Sequence, residues 1–116
     1  MIQIKRAYDP PSPDDGTRFL VDRFWPRGVK REALKIEEWL KDVAPSADLC
    51  HWFGHDPVKW DEFRRRYYKE LDSRSEVWEQ ILKAGQDEKI TLLFGARDTE
   101  HNNALALKMF LEARKS

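Results

Sequence analysis

The sequence predicts a small α/β domain: a central, largely parallel sheet of about three strands flanked by four to five helices. Three observations carry this prediction. Two short apolar runs, Phe19-Leu20-Val21 and Ile90 to Phe94, read as strands buried on both faces. Apolar residues at helical spacing fill the segments between and after those runs. No linker or internal repeat divides the chain, so residues 1–116 read as one domain with one layered core.

Taken in order, Ile2 to Tyr8 alternates and predicts a half-buried, edge-like strand. Asp9 to Gly16 holds three prolines and closes on glycine, which makes it a loop. Its aspartates lack the spacing of a calcium loop. A helical crossover normally needs a dozen or more residues. The first two strands therefore pair antiparallel, or run parallel through an unusually short link. The second strand, Phe19 to Val21, leads into Asp22-Arg23-Phe24-Trp25-Pro26-Arg27-Gly28, where proline and glycine end regular structure. Val29 to Leu34 reads as irregular.

Ile36, Trp39, Leu40 and Val43 recur at helical spacing and predict a short helix ended by Ala44-Pro45. Ser46 caps a further turn carrying Leu49 and Trp52, and Gly54 stops it. Asp56-Pro57 is a helix start, with Trp60, Phe63, Tyr67 and Leu71 on one stripe and Arg64, Arg65 and Arg66 outward. Ser73-Arg74-Ser75-Glu76 fits a capping box for a helix burying Val77, Trp78, Ile81 and Leu82, with Gly85 as its C-cap. After the strand Ile90 to Phe94, Asp98 is the expected N-cap of a last helix. It runs to about Ala113, with Ala104, Leu107, Phe110 and Leu111 inward.

Composition limits the partners. Lys plus Arg and Asp plus Glu both number 21, so the formal net charge is zero. Nucleic acid is not indicated by that balance, and any basic surface must be local. One cysteine, Cys50, rules out an internal disulfide and fits a reducing compartment. The N-terminus lacks the apolar run of a signal peptide, and nothing approaches the ~20 apolar residues of a membrane span. The expected location is the cytoplasm, without membrane contact. The sequence specifies neither a cofactor nor an oligomeric state.

Parallel strands gather ligands at their carboxyl ends. That places Tyr8-Asp9, Asp22 to Arg27, and Arg97 to Asn103 together, provided the second and last strands are parallel. Arg23 and Arg27 suit a bidentate clamp on a phosphate or carboxylate, or else they pair with Asp22, Asp9 or Glu32. Trp25 stacks on a base or sugar, or covers the core beside Pro26. Asp22, directly after a buried strand, is a general-base candidate or an arginine partner. Asp98 is the second acid–base candidate, against its capping role. Asn102 and Asn103, weak helix formers, invite capping or ligand hydrogen bonds, and the nearby helix N-terminus welcomes an anion. Arg97 and His55 complete the ligand-binding candidates; a histidine also serves acid–base work near neutral pH.

A zinc site from His51, His55, His101, Cys50 and Asp56 lacks metalloprotease or zinc-finger spacing, so no metal is assigned. Cys50 reads as a buried, inert thiol. The arginines of Trp60 to Tyr68 make a nucleic-acid face or the solvated side of a core stripe.

These words form a recognisable set. Val21 to Gly28, Ala44-Pro45-Ser46, Trp52-Phe53-Gly54-His55-Asp56-Pro57 with Trp60 and Phe63, and Thr91-Leu92-Leu93 with Asp98 and Asn102-Asn103 resemble the DUF488 family, in its YeaO-like branch. The resemblance runs nearly end to end and implies a small cytoplasmic α/β protein. It brings no established reaction. Where the wider family often carries a Cys and a Cys-His-Arg, this chain has Phe94 and His101-Asn102-Asn103. Where branch members commonly have Arg-Lys, it has Cys50-His51. The resemblance therefore implies no thiol mechanism here. The expected function is a small enzyme, or a binder, of a phosphorylated or nucleotide-like anionic ligand held by the Arg23 to Gly28 loop. The alternative is a nucleic-acid- or protein-interaction module without catalysis.

Overall fold

The computed structural model describes residues 1–114. Its centre is a four-stranded, all-parallel sheet. The chain runs β1 (Ile2–Arg6), β2 (Thr17–Leu20), α1 (Arg31–Leu34), β3 (Glu38–Trp39), α2 (Ala47–Phe53), α3 (Trp60–Asp72), α4 (Glu79–Asp87), β4 (Ile90–Phe94) and α5 (Asn103–Ala113). The strand order is β1-β4-β2-β3. β4 is central because every residue of Ile90-Thr91-Leu92-Leu93-Phe94 is buried, as a parallel strand covered on both faces requires. Ile2 pairs with Ile90 on one side, and Phe19 with Leu92 on the other.

β1 and β2 are not neighbours, which settles the open question of their direction. Both lie parallel to β4, one on each side. The link from Ala7 to Gly16 is short but sufficient. Ten residues extend to roughly 33 Å. The return needs roughly 17 Å along a five-residue strand and about 10 Å across two strand spacings. The link is also pinned. Asp15 and Arg18 are each only 6% exposed. Asp15 accepts from Arg18, from Lys5 at 3.1 and 3.2 Å and from the Ser12 N–H at 2.9 Å. Gly16 closes the link at φ 64°, where a Cβ would lie 2.1 Å from the Lys89 carbonyl oxygen.

The sheet has two unequal faces. On the larger, Phe19, Val21, Ile90, Leu92 and Phe94 meet the apolar sides of α2, α3, α4 and α5. On the smaller, Leu20 and Leu93 meet Ala7 and Leu34, covered by Trp25, Val29, Ile36 and Trp39. This explains the main departure from the periodicity argument. Ile36 and Trp39 serve the small face, while Leu40 and Val43 serve the large one. The four do not share a helical stripe; the chain crosses the sheet edge as β3 and then makes a 3-10 turn at Lys41–Val43.

Other differences are local. Arg31–Leu34 forms one helical turn where irregular chain was expected. The Ser73 hydroxyl donates to the Glu70 carbonyl at the end of α3 instead of opening a capping box, and Ser75–Val77 is a 3-10 turn before α4. Gly85 lies inside α4, where a Cβ would stand 2.9 Å from Ile2 Cγ1, so it permits close helix–strand approach instead of capping. Among the described residues no helix is long and apolar enough to cross a membrane.

Candidate functional site

β2 and β4 run parallel, so the segments leaving their carboxyl ends converge. A cavity of about 650 Å³ opens there, within the usual range of small-molecule sites. Asp22, Arg23 and Phe24 line it from the end of β2, Ala96 from the end of β4, and Asn102 and Asn103 from the start of α5. The opposite wall comes from Ala44 and Pro45, from Asp48, Cys50, His51 and Phe53 on α2, from His55, and from Phe63 on α3. Phe53 and Phe63 stack with ring centroids 4.2 Å apart.

Asp22 follows the fully buried Val21 and stands at the floor. One carboxylate oxygen, Oδ2, accepts the Gly95 N–H at 2.8 Å. A Cβ on Gly95 would come within 3.2 Å of the same oxygen, so glycine lets the carboxylate approach the backbone. Burial pushes the Asp22 carboxyl above its ordinary value; the Gly95 N–H, the Asn103 amide and the charge of His55 oppose that shift without cancelling it. The Asp22 carbonyl is held from outside the cavity by the Trp39 indole N–H at 2.8 Å.

α5 supplies two amides. Asn102, only 2% exposed, is the N-cap: its Oδ1 accepts the Leu105 N–H at 2.8 Å. The capping role expected of Asp98 thus falls to Asn102, because the helix begins four residues later than the Asp98 cap required. Asn103 donates from Nδ2 to the Val21 carbonyl at 3.1 Å, and its amide favours the ionised form of the Asp22 carboxyl. Asp98 lies outside the lining. Its Oδ1 accepts the Glu100 and His101 N–H groups at 2.9 and 3.1 Å, and Oδ2 meets His101 Nδ1 at 2.9 Å. The Glu100 N–H, with His101, holds its carboxyl below the ordinary range.

Arg23 lines the cavity while Nε and Nη2 donate to the Pro45 carbonyl at 3.2 and 2.9 Å, strapping the loop to the facing wall. His55 lines it from a left-handed backbone position, φ 58°. Trp25, Arg27 and Arg97 are not brought to the cavity. Trp25 covers the small face: its indole N–H donates to the Val29 carbonyl at 2.6 Å and its ring meets Trp39 edge-on at 5.4 Å. Arg27 and Arg97 are exposed. Tyr8 is exposed beneath the Arg6 guanidinium and also lies outside the lining.

A family model described as the inactive DUF488-N3 subclade matches residues 1–116. The chain belongs to the DUF488 family. Among its relatives, the uncharacterized protein YeaO of Escherichia coli is 38% identical over 112 residues, covering 97% of each chain. The uncharacterized proteins Mb3100c of Mycobacterium bovis and Rv3073c of Mycobacterium tuberculosis are each 35% identical over 113 residues, covering 97% of this chain and 95% of theirs. No solved structure matches significantly.

Several lining residues of this DUF488 chain carried no signal in isolation. Asp48, Phe53 and Phe63 reach the cavity through α2 and α3, and only the spatial order of those helices reveals them, while the sequence presents His51 only as a metal-ligand candidate. Cys50, expected to be buried, is exposed and lines the cavity. Partial desolvation of its sulfur in the cavity wall, helped by the charges of Glu70 and Asp22 and opposed by Arg23, pushes the thiol up, away from an activated thiolate. Among the described residues no group of three His, Cys, Asp or Glu side chains is placed to hold a metal ion. The arginine run of α3 is paired on its own surface: Arg64 with Asp61, and Arg65 and Arg66 sharing Glu62.

Proposed function

We propose that this protein is a non-catalytic binder of a nucleotide-like small molecule, held in the cavity at the ends of β2 and β4. The observation that carries the reading is the polarity of that cavity: a carboxylate and an amide at its floor, aromatic walls, and Arg23, His51 and His55 among its other polar groups. The exposed ring of Phe24 at the cavity suits a heterocycle, with the buried Phe53 and Phe63 backing the wall. Arg23 and the two histidines suit an anionic group on the same ligand, in place of a clamp by Arg23 and Arg27. Asp22, the acid–base candidate, becomes a ligand anchor. Asp98 supports Asn102, whose Nδ2 donates to the Asp98 carbonyl at 3.0 Å. The inactive description of the matching subclade supports binding without turnover. The single cysteine supports a cytoplasmic location.

The paired arginines of α3 weigh against the nucleic-acid alternative, since Asp61 and Glu62 on the same helix already engage all three. A thermal-shift and calorimetric screen of nucleosides and nucleoside monophosphates tests the proposal. A bound ligand at ~100 times its dissociation constant adds about 2.7 kcal/mol, which raises Tm by roughly 10 °C. Arg23→Ala should weaken the monophosphates but spare the nucleosides. A screen in which no nucleoside or nucleotide moves the transition rejects the reading.

A further inference from the structure

We infer that the floor of this cavity selects a guanine-type edge, two adjacent N–H donors on a flat heterocycle, from Asp22 and Asn103. The inference rests on the nucleotide-like ligand proposed above and names its base. It follows from counting which polar atoms the fold leaves free. A carboxylate has about four acceptor sites. The Gly95 N–H and the Asn103 amide occupy at most two of those on Asp22. Asn103 has its nitrogen turned toward the Val21 carbonyl. That carbonyl can only accept, which fixes the amide orientation. The atom Asn103 has left is its carbonyl oxygen, a further acceptor. Asn102 is engaged at both ends, with the Leu105 N–H and the Asp98 carbonyl. The Gly95 N–H is engaged as well.

The floor therefore offers acceptors, and the donors of the lining are Arg23, whose guanidinium reaches away to the Pro45 carbonyl, and the exposed His51 and His55 of the facing wall. A ligand that fits must be donor-rich at its inner end and acceptor-rich at its outer end. A guanine nucleotide has that polarity: N1–H and the 2-amino group inward, phosphate outward. Its N–H pair matches the two oxygens of a carboxylate with two parallel bonds. Adenine presents the N1 lone pair on the corresponding edge and sets it against the carboxylate. Hypoxanthine retains N1–H but lacks the 2-amino group. A simple alkylammonium brings donors but wastes the exposed ring of Phe24. Asp48, the other acid of the lining, is exposed and suits ribose hydroxyls.

The experiment is titration calorimetry of the full chain with GMP, IMP and AMP. The expected order is GMP tightest, with IMP about tenfold weaker and AMP roughly 100-fold weaker, since a missing or opposed bond of a bidentate pair is worth that much. Asp22→Asn should bring the three to within a few-fold of one another. The ligand series on the unaltered chain keeps the test independent of how the variant folds. Equal affinity for the three nucleotides, or preference for AMP, overturns the guanine assignment and leaves the nucleotide-like reading standing. Absence of binding by all three, together with silence in the wider screen, overturns both.

Discussion

Two aspartates precede or follow β2, and their surroundings are opposite. Asp15, just before the strand, has its charge answered by Lys5, Arg18 and a backbone N–H. Burial acts to raise its carboxyl, yet these partners outweigh burial and hold it below the ordinary value. Asp22, just after the strand, has one backbone N–H and one amide against a larger desolvation, and its carboxyl is raised. The first carboxylate is saturated by the fold, and the second is left with capacity. A polar group with spare capacity at the floor of a cavity is what separates a binding site from a structural cluster.

Removing Asp15 should have the largest effect on stability. Asp15→Ala leaves the buried Arg18 without its counter-charge, and breaking a buried pair from one side costs about 3–5 kcal/mol. Chemical denaturation should show a loss of that order. The same contact sets an acid limit. Because the native carboxyl lies below its unfolded value near pH 4, its stabilisation is fully present above that value. It is lost as the pH falls through the native value. Asp15→Ala should abolish that part of the acid sensitivity, seen as a flatter stability–pH curve below pH 4. An unchanged curve would make the Asp15 cluster no more than a tether.

A second contrast lies within one loop. Phe24 and Trp25 are adjacent, yet Phe24 is 76% exposed at the cavity and Trp25 closes the opposite face of the sheet. Trp25→Ala should cost about 2–3 kcal/mol, below the range for a fully buried tryptophan, and leave ligand affinity nearly unchanged. Phe24→Ala should leave stability within about 0.5 kcal/mol. It should weaken a stacked ligand by roughly 1 kcal/mol, or about fivefold. Paired denaturation and titration of both variants reads this directly. If Trp25→Ala removes ligand binding while Phe24→Ala does not, the assignment of faces within the loop is reversed.

That contrast also marks how far the sequence could be read. β4 was legible to the residue, because four apolar positions and one β-branched threonine in five admit few alternatives to a central strand. The ends of α2 were legible from Ser46 and Gly54, because each residue does one geometric job: a hydroxyl accepting the Leu49 N–H, and a backbone at φ 53°. The first strand and the body of the last helix were similarly accessible, but the start of that helix was not, since Asn102 and not Asp98 caps it. β3 was not, because Ile36, Trp39, Leu40 and Val43 mimic a helical stripe while serving two faces. The site was legible at Asp22, Arg23, Asn102 and Asn103, whose place at strand ends follows from topology. It was not legible at Trp25 and Arg27. A loop leaving a parallel strand can turn to either face, and nothing local in Phe24-Trp25-Pro26 states which residue goes where. The α2 wall was invisible for the same reason: it depends on which helix packs opposite the strand ends.

The smallest effect offers the finest test of the two carboxylates. Asp22→Asn removes a charge but keeps an oxygen for the Gly95 N–H. Since burial raises the native carboxyl of Asp22, ionisation opposes folding. The penalty is absent below the unfolded value near pH 4, grows as the pH rises, and is complete once the pH passes the raised native value. Wild type and variant should therefore melt alike at pH 3 to 4. At pH 7 the variant should melt slightly higher, even as it loses ligand discrimination. Scanning calorimetry from pH 3 to 8 measures both limbs. A variant that melts lower at pH 7 would mean that Asp22 is as fully answered by its neighbours as Asp15, and the capacity assigned to the cavity floor would disappear.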